Sequence, residues 1–127
     1  MMARVMLTKK GESDMSNVIT GQCHCGAVKY ESTGPKFRQG ICRCRACQRA
    51  TGALESPNVG VKPDTFKIVQ GTPATFKAAG GQRCDAGTWH FCAKCGGQLF
   101  WRAPDDHEIA IFVGSLDDTT LFKEEEA

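Results

Sequence analysis

Residues 92–97 read Cys-Ala-Lys-Cys-Gly-Gly, two cysteines with two residues between them and a glycine pair directly after. A turn of this kind aims two thiolates at one ion, and the glycines let the chain reverse so that backbone N–H groups face the sulfurs. Zinc takes four ligands in a tetrahedron, and structural sites are commonly assembled from two such pairs far apart in the chain. The second pair is Cys23-His24-Cys25, followed by Gly26 and an extended run. Both pairs sit at the edges of strand-like segments. One ion held by Cys23, Cys25, Cys92 and Cys95 would therefore tie the start of a sheet to its later part.

Working outward, a third group reads Cys42-Arg43-Cys44-Arg45-Ala46-Cys47. It offers three thiolates from one short loop and leaves a fourth position for water or an exogenous thiol, which is how catalytic zinc is usually held. Arg43, Arg45 and Arg49 lie in or beside this loop, and Arg38 is close by, so positive charge accompanies the cysteines. That charge suits a small anionic ligand, because carboxylates seek guanidinium partners. The eighth cysteine, Cys84, is read as a free thiol, with completion of the three-cysteine site as the alternative. His24, His90 and His107 are not needed as ligands, and a histidine flanking cysteines often only donates a supporting hydrogen bond.

The rest of the chain is short extended runs divided by turn residues. Candidate strands are Ala27 to Ser32, Phe37 to Cys42, Leu54 to Val61, Phe66 to Gln70, Ala74 to Ala79, Thr88 to Phe91, Gln98 to Arg102 and Glu108 to Val113. Gly34-Pro35, Lys62-Pro63-Asp64, Gly71-Thr72-Pro73, Gly80-Gly81, Gly96-Gly97 and Pro104-Asp105-Asp106 separate them. The protein is expected to be mainly β, with at most a short helix over Cys44 to Thr51. With 127 residues, 41% of them hydrophobic, the chain supports one core. Residues 18–123 are read as a single zinc-binding domain, residues 1–17 as an extension outside the fold and residues 124–127 as an acidic tail.

A net charge of +2, with both signs scattered, does not favour nucleic-acid binding. The sequence contains no run of about eighteen apolar residues, so no membrane role is expected, and the protein is read as cytoplasmic. In a reducing cytosol clustered cysteines hold metal more often than disulfides, and a Cys-x-Cys pair is poorly placed for an unstrained disulfide. Two zinc ions are expected, one structural and one functional.

Four motifs occur in order: Gly21-Gln22-Cys23-His24-Cys25-Gly26, Cys42-x-Cys44-x-x-Cys47, His90-Phe91-Cys92-x-x-Cys95-Gly96 and Gly114-Ser115-Leu116-Asp117-Asp118. Together they resemble the glutathione-dependent formaldehyde-activating enzymes and their relatives, which include centromere protein V. The resemblance implies coiled antiparallel β-sheets stapled by zinc, sometimes called a β-tent. It also implies a structural zinc on Cys23, Cys25, Cys92 and Cys95 and a functional one on Cys42, Cys44 and Cys47. The implied activity is of the carbon–sulfur lyase type, forming S-hydroxymethylglutathione from formaldehyde and glutathione. Where the family often has histidine within the second motif, this chain has Arg43. The competing reading is a non-catalytic zinc domain that binds a small thiol or a protein partner.

Overall fold

The computed structural model describes residues 18–77 and 86–123. Cys84, the Gly80-Gly81 turn, the expected N-terminal extension and the acidic tail lie outside the described residues. Among the described residues, nine strands form two antiparallel sheets. A three-stranded sheet has the order β1 (Ile19–Gln22), β2 (Lys29–Ser32), β5 (Phe66–Gln70). A six-stranded sheet runs β3 (Arg38–Cys42), β4 (Ser56–Val61), β9 (Ile109–Phe112), β8 (Gln98–Arg102), β7 (Thr88–Phe91), β6 (Ala74–Lys77). The mainly β expectation holds, and the one α-helix among the described residues is α1 (Arg45–Thr51).

Period-two alternation divides the larger sheet into two faces with different chemistry. One face carries the register partners Val59 and Ile111, with Phe100 opposite Ile111 in turn. These side chains are buried with Val61, Leu99, Ile109 and Tyr30 in the apolar core between the sheets. Tyr30 of the small sheet packs its ring on Phe66 at 5.3 Å between centroids, and Phe66 meets Phe100 edge-on at 4.7 Å. The opposite face is polar at one end, where Arg38, Gly40 and Cys42 of β3 face Gly60, Asn58 and Ser56 of β4. Trp101 lies further along this face, opposite Ala110 of β9.

Strand β1 was not among the candidate strands, because a four-residue run containing Gly21 has too little apolar alternation to stand out. Its place is set from the far end of the chain. Gly21 bridges Leu116, the Asp117 N–H donates to the Thr20 carbonyl at 2.9 Å, and the Thr20 hydroxyl donates to the Asp117 carboxylate at 2.7 Å. Ser115 is buried and its hydroxyl pairs with that of Tyr30 at 2.6 Å, while Asp118 caps the 3-10 turn Thr119–Leu121. The Gly-Ser-Leu-Asp-Asp motif thus locks the first strand onto the last.

Candidate metal centres

The turn after β1 and the turn after β7 bring four sulfurs together. Cys23, Cys25, Cys92 and Cys95 have Sγ atoms all within 4.8 Å of one another. The Cys23–Cys25 and Cys25–Cys92 sulfur pairs are both 3.8 Å apart. A tetrahedron with zinc–sulfur bonds of about 2.3 Å has an edge of about 3.8 Å, so the spacing matches four thiolates around one ion. Backbone donors already face these sulfurs: Val28 N–H to Cys23 at 3.3 Å, Lys94 N–H to Cys92 at 3.3 Å and Gly97 N–H to Cys95 at 3.4 Å. Gly96 adopts φ 76°, the left-handed conformation that closes the knuckle without a Cβ penalty.

The protonation of this quartet fits a cation site. Backbone N–H groups of residues 25 and 97 hold the Cys95 thiol down to about 6, whereas at Cys25 the Ala27 N–H is outweighed by desolvation and by contact with the other sulfurs, which leave that thiol raised to about 11. Burial resists ionisation of Cys23, but the Val28 N–H and its sulfur neighbours outweigh it and the net direction is down. Four thiolates this close repel one another, so they cannot all ionise without a cation among them.

The second cluster is built by β3 running directly into α1. Cys42 ends the strand, Cys44 is the helix N-cap and Cys47 is buried on its first turn. The Cys44 sulfur accepts the Cys47 N–H at 3.4 Å, doing at the helix start what a serine oxygen usually does. Gly52, at φ 78°, ends the helix after two turns by returning its N–H to the Gln48 carbonyl at 2.7 Å. The three sulfurs again lie within 4.8 Å of one another, with Cys42 and Cys44 3.4 Å apart. Each of the three cysteines offers one sulfur toward the same point. Cysteine binds metal as the thiolate, so the cluster holds an ion through all three sulfurs in the reduced protein.

The three sulfurs line a cavity of about 520 Å³ shared with Arg38, Asn58, Trp101 and Glu108. Arg38 spans the floor, with Nε donating to Glu108 at 2.8 Å and Nη2 donating to Asn58 Oδ1 at 2.6 Å. Gly60 makes room for this pair, since a Cβ there would stand 2.7 Å from Glu108 Oε2. Arg43 also lines the cavity and holds Glu55 through Nε and Nη2 at 2.9 and 2.6 Å. Arg45 and Arg49 do not line it and border a different cavity on α1. Sequence reading passed over Asn58, Glu108 and Trp101. The available signal was the shared face of Arg38, Gly40 and Cys42, together with an acid, Glu108, at the head of an apolar strand.

A family model described as glutathione-dependent formaldehyde-activating enzyme matches residues 18–127. The chain belongs to that family. A relative from Halomonas elongata, named "Putative glutathione-dependent formaldehyde-activating enzyme", is 29% identical over 108 residues, covering 82% of this chain and 68% of its own length. A crystal structure of a Rhodobacter sphaeroides protein superposes with a TM-score of 0.60 at 23% identity, covering 77% of this chain and 87% of that one, a likeness of fold. In this member of the family two groups of cysteines could bind metal ions, and the thiolate-rich donor sets are consistent with zinc. No helix among the described residues is long and apolar enough to cross a membrane.

Proposed function

We propose that the protein is a zinc-dependent carbon–sulfur lyase-type enzyme that joins formaldehyde to a small thiol such as glutathione, with Cys42, Cys44 and Cys47 holding the functional metal. The observation that carries this reading is a cluster of three sulfurs among the described residues, lining a cavity of about 520 Å³. Zinc bound there would supply a Lewis-acidic positive charge that favours the thiolate form of a nearby thiol at neutral pH.

In the reaction the S–H bond of the thiol breaks and a sulfur–carbon bond forms to the aldehyde carbon. The carbonyl π pair moves to oxygen, which takes up a proton to give the hydroxymethyl adduct. The residues around the cavity serve this balance. Arg38, oriented by Glu108 and Asn58, brings a guanidinium to where the carbonyl oxygen gains charge. Arg43 is the cavity's candidate partner for a carboxylate of the thiol. Its ion pair with Glu55 is exposed, and exposed pairs are worth about 0–1 kcal/mol, so a substrate carboxylate can replace Glu55 at little cost. The need for thiolate ligands agrees with work in a reducing cytoplasm.

The test is the rate at which formaldehyde, glutathione and their adduct approach equilibrium, followed by NMR exchange with reduced, zinc-loaded protein. Acceleration over the spontaneous reaction, lost in Cys47→Ala, is expected. Glutathione binding with no acceleration would make the protein a thiol carrier rather than an enzyme.

A further inference from the structure

Helix α1 separates two cavities that share no lining residue among those described. The cysteine cavity lies on one flank. On the other is a cavity of about 530 Å³ walled by Phe76, Trp89 and Phe91 from β6 and β7 and by Arg45 and Arg49 from the helix. The two arginines are four residues apart and so stand one above the other on the same helix face. Arg45 donates only to Gln48 within its own helix, at 2.9 Å. Neither arginine has a described carboxylate partner. Facing them, Phe76 keeps 58% of its surface exposed and sits 6.5 Å from the Trp89 ring, between centroids.

Gln98 closes the cavity against the helix, its amide nitrogen donating to the Ala50 carbonyl at 3.2 Å. Aromatic walls and two guanidinium groups form a combination suited to a ligand with an apolar body and an anionic end.

We propose that this cavity is a second ligand site, distinct from the cysteine cluster, for a small amphipathic carboxylic acid. Its apolar, preferably aromatic body lies against Phe76, Trp89 and Phe91, and its carboxylate is held by Arg45 and Arg49. A carboxylate suits this pair because the guanidinium fork matches its two oxygens. The sequence reading grouped Arg45 and Arg49 with Arg43 as partners for one thiol. Their placement on the far flank of α1 gives them a ligand of their own.

Isothermal titration of the full, reduced, zinc-loaded chain with 3-phenylpropionate tests this. Binding is expected, weakened about tenfold or more in Arg45→Gln and Arg49→Gln, both exposed positions whose replacement leaves the core intact. Arg43→Gln, on the cysteine cavity, should leave the affinity unchanged. Phe76→Ala, which removes an exposed aromatic wall, should weaken binding while the circular dichroism spectrum stays that of wild type. 3-Phenylpropionamide, without charge, and acetate, without an apolar body, should both bind at least tenfold more weakly. Equal affinity for the amide would overturn the role of the arginines, and equal affinity for acetate would reduce the site to a general anion surface. Tighter binding of phenyl phosphate would contradict a carboxylate site. Loss of binding in Arg43→Gln would place the ligand with the cysteines, and absence of binding at millimolar concentration would dismiss the site.

Discussion

Replacing Cys92 with serine removes one corner of the four-sulfur cluster with the least possible change of shape. Cys92 is buried, and its sulfur lies 3.8 Å from that of Cys25, a residue 67 positions earlier. An ion at this point joins the turn after β1 to the turn after β7, so it crosslinks the small sheet to the large one. Structural zinc contributes apparent folding free energies of about 10–16 kcal/mol in small domains. The whole stability of a domain of this size is about 5–15 kcal/mol. Losing the ion therefore removes as much free energy as the fold has. The serine hydroxyl adds a further cost of about 1–3 kcal/mol if it is left buried without a partner. The expected outcome is an insoluble or unfolded Cys92→Ser chain, read by soluble yield, circular dichroism and zinc per chain. A variant that purifies folded, with the zinc content of wild type, would refute the reasoning, because the cluster would then not be a metal crosslink.

A mild chelator should strip the ion of the three-sulfur cluster first, without unfolding the chain. Simultaneous loss of both metals with unfolding would show that the clusters are not independent. Gly21→Ala places a Cβ 2.1 Å from Tyr30 Oη and 2.4 Å from the Ser115 carbonyl oxygen, so it displaces the buried Tyr30–Ser115 pair. Overpacking and the lost hydrogen bond together are expected to cost about 2–4 kcal/mol in urea unfolding, and a wild-type midpoint would argue against this close approach. Gly60→Ala pushes a methyl toward Glu108 Oε2 and Arg38 Nε, at 2.7 and 3.1 Å. It should slow adduct formation while both zinc ions remain bound, and an unchanged rate would remove the Arg38–Glu108 pair from the mechanism.

Metal-ligand spacing made the cluster membership legible. Cys23/Cys25 and Cys92/Cys95 could be paired across the chain because zinc needs two such hooks, and Cys42, Cys44 and Cys47 already carried three on one loop. Alternation and turn residues likewise located the longer strands, with β5, β7 and β8 at the expected bounds. Strand β1 escaped because its own pattern is weak: it is held by its register with β2 and by Leu116 and Asp117, almost a hundred residues away. The arginines were misleading for a related reason. Proximity in sequence put Arg43, Arg45 and Arg49 together, but the helix that begins at Cys44 turns Arg45 and Arg49 toward β6 and β7 while Arg43 stays beside the cysteines. Asn58 and Trp101 reach the cavity through strand register and Glu108 stands just before β9; the pairing that sets Asn58 opposite Phe112 joins distant parts of the chain and leaves no local mark.

The division of the cysteines into a scaffold site and a working site is tested most directly by counting zinc in reduced wild-type protein and in reduced Cys42→Ser. Two zinc ions per chain are expected in the wild type and one in the variant, with an unchanged circular dichroism spectrum, because Cys42 belongs to the three-sulfur cluster and not to the crosslink between the sheets. Two ions retained in the variant, or an unfolded variant with none, would contradict the division.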